Sequence, residues 1–105
     1  MIDKNAAIYI SGPMTGYPEY NYPAFIAAEE KLRKLGYVNI INPAKIDHPD
    51  TDWNNCIRRA IVALMGADTV VLLPGWDRSK GAKIEYYLAA NLGLSVKSYK
   101  SLISS

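Results

Sequence analysis

The sequence predicts an α/β domain: a parallel sheet of four to five strands with helices on both faces. Three observations point there. Apolar runs of strand length alternate with amphipathic stretches of helix length along the 105 residues. The connections are short, with no repeat, linker or low-complexity segment. The third apolar run, Asp68 to Leu73, reads as apolar on both faces, as a central parallel strand requires.

Each element follows in order. Ala6 to Ser11 reads as the first strand and stops at Gly12-Pro13. Pro23 suits the first turn of a helix capped near Asn21 or Tyr22. Phe25, Ala28, Leu32 and Leu35 share one face of that helix, and Gly36 ends it. Tyr37 to Ile41 reads as a second strand, stopped by Asn42-Pro43. After a loop carrying His48, Asp52 caps a second helix with the apolar stripe Trp53, Ile57, Ile61 and Leu64, closed by Gly66. The third strand leads into Pro74-Gly75 and then a helix from about Lys80 to Leu92, with Ile84, Leu88 and Leu92 expected to face inward. Leu94 to Tyr99 reads as a fourth strand, and Lys100 to Ser105 as a polar turn.

Composition narrows the function. Twelve basic residues against ten acidic give a net charge of +2, and the basic residues are scattered. That pattern argues against a nucleic acid polymer as partner. No apolar run reaches membrane-span length, so no membrane partner is expected. The opening Met1 to Asn5 lacks the apolar stretch of a secretory signal, and a single Cys56 excludes an intrachain disulfide framework. A cytoplasmic location is the resulting expectation. A core this small is often extended by self-association, which makes a homo-oligomer the expected state.

Ligands of parallel α/β sheets bind outside the carboxyl ends of the strands. The loops leaving those ends are 12–20, 42–52 and 74–79. They hold most of the chain's Pro, Gly and loop aromatics. Ser79 is the natural cap of the third helix, and the N–H groups of Lys80 and Gly81 make that end an anion site. Glu85 lies six residues further on, about 9 Å along the helix axis. Its side chain leans back toward the loop, so an ionised and poorly covered carboxylate is one reading. A solvent-exposed surface glutamate is the other. Tyr9, near the end of the first strand, is either a core aromatic or a phenol that orients Glu85. Gly12, Met14 and Gly16 begin a loop that can lie against a sugar or phosphate, though no Walker pattern is present. Gly75 and Trp76 form the turn beside Ser79, and Trp76, Tyr17 and Tyr20 can stack on a base or simply cover loops. His48 with Asp47, Asp50 and Asp52 matches no standard ligand spacing, so no metal is expected. Cys56 has no paired His in sequence and reads as a buried thiol.

Several motifs together resemble the nucleoside 2-deoxyribosyltransferase superfamily, in a small phage and bacterial branch. They are Tyr9-Ile10-Ser11-Gly12-Pro13-Met14-Thr15-Gly16, Asn21-Tyr22-Pro23-Ala24-Phe25 and Asn42-Pro43-Ala44. The strongest is Leu73-Pro74-Gly75-Trp76 followed by Ser79, Gly81-Ala82 and Glu85. The resemblance implies a flavodoxin-like or Rossmann-like sheet, cleavage of N-glycosidic bonds, no cofactor, and oligomers that share residues between subunits. It implies that Glu85 is the nucleophile, Tyr9 its orienting phenol, and Ser79 a contact to a 5′-phosphate. The implied substrate is a nucleoside 5′-monophosphate or a related phosphorylated riboside.

One position departs from the family pattern. Where the family has an acid on the second helix that assists the departing base, this chain has Ala60. General acid assistance is typically worth about 10² to 10⁴ in rate. Its loss leaves two expectations. Either the leaving group needs no proton, as with an already cationic base, or the domain binds nucleotides without cleaving them. A ligand-free structural domain and a flavin electron carrier are further readings; the loops lack the hydroxyl run that would hold a flavin phosphate.

Overall fold

The computed structural model describes residues 2–46 and 52–104. Asp47, His48 and Asp50, weighed above as metal ligands, lie outside the described residues. The elements are β1 (Ile8–Ser11), α1 (Tyr22–Lys34), β2 (Ile40–Ile41), α2 (Trp53–Leu64), β3 (Thr69–Leu72), α3 (Lys80–Asn91), β4 (Ser95–Ser98) and α4 (Tyr99–Ile103). Short 3₁₀ turns at Pro18–Asn21, Pro43–Lys45 and Trp76–Arg78 precede α1, follow β2 and precede α3.

The four strands are parallel in the order β2-β1-β3-β4. This is the flavodoxin-like order, and it changes direction between β1 and β3. Alternation along the strands divides the core. Ile8, Ile10, Val71 and Leu73 pack on one face with Phe25, Ala28 and Leu32 of α1. Tyr9, Val70 and Leu72 pack on the other with Leu64 of α2 and Ala89 of α3. Both central strands are fully buried, which accounts for their continuous apolar character.

Three expectations change. The second strand is two residues long, because the backbone ahead of it bonds elsewhere: Tyr37 N–H donates to Leu32 C=O and Val38 N–H to Lys4 C=O. The tail is a short helix rather than a turn. Ser98 Oγ accepts from Ser101 N–H at its start, and Tyr99 and Leu102, three apart, pack against the α1-side core. On α3 the buried residues are Ala82, Glu85 and Ala89, while Leu92 is 56% exposed. The small side chains let this helix lie close to the sheet, and close approach is what brings Glu85 to β1.

A polar network fixes the turn after β2 onto α1. Glu29, itself buried, accepts from Arg33 Nε at 2.8 Å, Lys45 Nζ at 3.1 Å and Asn42 Nδ2 at 3.1 Å. Asn42 Nδ2 also donates to Phe25 C=O, and its Oδ1 accepts from Ala44 N–H. Burial pushes the Glu29 carboxyl up, but Arg33, Asn42 and Lys45 outweigh it and hold it below its usual value. At the opposite end of the sheet Asp68 Oδ2 accepts from Ala7 N–H, away from the strand tips where a ligand would sit. Among the described residues no helix is long and apolar enough to cross a membrane.

Candidate functional site

The carboxyl ends of β1 and β3 lie where the strand order reverses, the usual ligand position in such sheets. A cavity of about 430 Å³ opens there, within the range of small-molecule sites. Its floor is Tyr9 and Glu85, and its lip is Gly12, Met14 and Thr15 from the loop after β1. One wall is the face Trp53, Cys56, Ile57 and Ala60 of α2, at helical spacing. Tyr20, Tyr22 and Phe25 form another, and Ser79, Gly81 and Ala82 complete it at the start of α3. Gly12 is needed where β1 and β3 converge: a Cβ there would lie 2.8 Å from that of Leu73.

Glu85 is 5% exposed. The expectation of an open, poorly covered carboxylate is therefore corrected, as is its surface-glutamate alternative. Tyr9 Oη donates to Glu85 Oε2 at 2.5 Å, and Ser11 Oγ donates to Oε1 at 2.6 Å. Both oxygens are thus held from β1, and each keeps a lone pair for the cavity. Burial raises the Glu85 carboxyl above its usual value, and the hydrogen bonds from Ser11 and Tyr9 only partly offset this. The Tyr9 phenol is raised well above its ordinary value by its own burial and then by Glu85, so it stays a donor.

Ser11 was absent from the sequence-derived site. The signal that finds it is the strand period of two, which puts residues 9 and 11 on one face. Ser11→Ala is expected to raise the Glu85 pKa further, because one of two donors to the anion is lost. Carboxyl carbon chemical shifts followed against pH check this; an unmoved titration would remove Ser11 from the role.

Ser79 caps α3, its Oγ accepting from Ala82 N–H at 3.2 Å, and its own hydroxyl proton remains to donate. Asp52 caps α2 in the same way. Of the residues proposed from sequence, Glu85, Tyr9, Ser79, Gly12, Met14 and Gly81 line the cavity. Gly16, Gly75, Trp76 and Lys80 do not. Trp76 packs against the α2/α3-side core and the Tyr86 ring, 4.8 Å between centroids. The Lys80 ammonium sits 4.4 Å over the Trp53 ring. Gly75, at φ 88°, makes the turn that starts the 3₁₀ segment before Ser79. Gly16, at φ 86°, has open space around it.

The loop over the cavity carries unusual backbone. Glu19, Tyr20 and Asn21 have φ of 54°, 52° and 61°. Left-handed conformation in non-glycine residues costs roughly 1–2 kcal/mol each. Asn21 Nδ2 donates to Pro13 C=O at 2.9 Å and ties the loop across its base. Tyr20 lines the cavity while 61% exposed. Among the described residues no group of three or more His, Cys, Asp or Glu is placed to hold a metal ion.

Residues 6–98 match the model of a family described as a domain of unknown function, DUF4406. No curated protein matches the chain.

Proposed function

We propose that this chain, which belongs to the family of domains of unknown function DUF4406, cleaves or transfers N-glycosidic bonds of a nucleoside 5′-monophosphate or related phosphorylated riboside. The observation that carries the reading is the Glu85 carboxylate, buried at the end of an apolar cavity with each oxygen held by a hydroxyl of β1. The two hydroxyl donors favour the charged form against the burial that raises its pKa, and they fix its aim, which is what a nucleophile at an anomeric carbon needs. The resemblance to the nucleoside 2-deoxyribosyltransferases gives Glu85 and Tyr9 the same roles.

In this scheme a Glu85 oxygen forms a bond to C1′ as the bond from C1′ to the base nitrogen breaks, its electron pair leaving with the base. Tyr9 and Ser11 steady the carboxylate through an oxocarbenium-like transition state. Water then attacks C1′ and returns the carboxylate, or a second base takes the sugar. The 5′-phosphate sits at the start of α3, against Ser79 and the first N–H groups. The Lys80 ammonium, held over the Trp53 ring, is the nearby positive charge. A homo-oligomer belongs to the same reading. Val62 and Tyr87, 74% and 67% exposed, offer apolar surface for it.

A second reading has its own support. Ala60 lines the cavity, and its methyl group transfers no proton to a departing base. A domain that binds nucleotides without cleaving them fits that wall. Incubation with a panel of nucleoside 5′-monophosphates and pyridine nucleotides, followed by chromatography of released bases, separates the two. Release from a phosphorylated substrate, at least about tenfold faster than from its free nucleoside, is the expected result, since a hydrogen-bonded phosphate is worth about 1.5–3 kcal/mol per charged contact. Thermal stabilisation by nucleotides without release would favour the second reading. Neither release nor stabilisation would remove both.

A further inference from the structure

Glu85 has two hydrogen-bond partners among the described residues, Tyr9 and Ser11, and both are neutral. No described cation pairs with it. Buried charges are ordinarily paired, and one that is not stays costly until something brings the opposite charge. The carboxylate lines a cavity whose aromatic members are Tyr9, Tyr20, Tyr22, Phe25 and Trp53. Aromatic faces around an anion attract cations, most strongly when water is excluded. Trp53 already carries one cation on its ring, the Lys80 ammonium at 4.4 Å. That ammonium is outside the cavity lining, so the charge of Glu85 is left for the ligand to meet.

We infer that the site selects a flat heteroaromatic cation on a ribose phosphate: a pyridinium ribonucleotide, with its positive ring between the aromatic walls and its anomeric carbon at Glu85. The inference takes its sugar and phosphate orientation from the N-glycosidase reading. Its electrostatic part, a buried carboxyl with no cationic partner among the described residues inside an aromatic cavity, stands on the geometry. It also answers the Ala60 wall. A pyridinium ring leaves by taking the electron pair of the C1′–N bond, which neutralises it, so no proton has to be given. Water completes the second step, and the sum is pyridinium nucleotide plus water giving neutral pyridine base, ribose 5-phosphate and one proton. The positive charge that the ring loses passes to the sugar in the transition state, where the same carboxylate faces it.

The test compares two ligands that differ by one hydride and one charge: nicotinamide mononucleotide and its dihydropyridine form. Calorimetric titration of the intact protein is expected to show the oxidised form binding at least about tenfold more tightly, the scale of a desolvated cation–π contact beside an anion. Glu85→Gln should bind the two alike, and Glu85→Asp should keep the preference. Glu85→Ala replaces the amide variant if the latter does not fold. Equal affinities in the wild type, or a preference that survives loss of the carboxylate, would overturn the inference. Charge preference without release of nicotinamide would retire the N-glycosidase reading and leave this inference standing. Equal affinities with release of base from uridine 5′-monophosphate would keep that reading and remove this one.

Discussion

Glu85→Gln is expected, on the proposed N-glycosidase function, to lower base release by at least about 10³-fold, because the amide is neither anionic nor nucleophilic at the position where the covalent bond would form. The change is nearly isosteric. Tyr9 and Ser11 are hydroxyls that can accept as well as donate, so both can keep a partner. The same substitution stabilises the fold at neutral pH. The Glu85 pKa is raised above its usual 4.5 by burial, so the native state binds more protons than the unfolded state between the two values. Stability from this group is full below about 4.5 and is lost as pH rises through the folded pKa. Glutamine does not ionise and escapes that loss. The melting temperature of Glu85→Gln should exceed that of the wild type at pH 7.5, with the gain vanishing near pH 4. Initial rates and thermal melts at the two pH values check both parts. An unchanged rate would remove the nucleophile; a variant less stable at pH 7.5 would mean the ionised carboxyl is not strained by its burial.

Phe25→Ala costs about 3–5 kcal/mol of stability. The ring has no exposure and packs with Ile8, Ile10, Leu32 and Val71, while its edge forms part of the cavity wall. Its removal therefore takes away core contacts and enlarges a space already present. A domain of this length has roughly 5–15 kcal/mol in total, so the loss is a large share of the whole. Urea unfolding should show a lower midpoint with an unchanged slope. Phe25→Leu, which keeps most of the volume, should cost less than about 1.5 kcal/mol. A loss under 1 kcal/mol for the alanine variant would place the main core elsewhere. Because Phe25 lies in the first turn of α1, two residues after Pro23, an element that lines the cavity is also one on which the fold depends.

The two faces of α2 and α3 show where reading the sequence stops. The stripe Trp53, Ile57, Ile61 and Leu64 is plain from spacing, yet only Leu64 is fully buried. Trp53 and Ile57 face a cavity instead of a core. Periodicity tells which residues share a face and is silent on what lies opposite. On α3 the large aliphatics suggested the inward face, and the buried positions are the small residues and Glu85. Helix-to-sheet distance decided that outcome, and spacing does not encode distance.

The alternation of strands and helices and the caps at Asp52 and Ser79 were legible in the chain itself, because periodicity and capping arise between residues a few positions apart; spacing left Tyr9 and Glu85 with two readings each, and the family resemblance chose between them. The burial of Glu85, its second donor at Ser11, and the shared wall of α1, α2 and α3 belong to the tertiary structure. Tyr9 and Ser11 reach Glu85 across 76 and 74 residues of chain. A carboxyl's charge and reach depend on the water removed from it and the donors brought to it, and only packing brings those distant neighbours together.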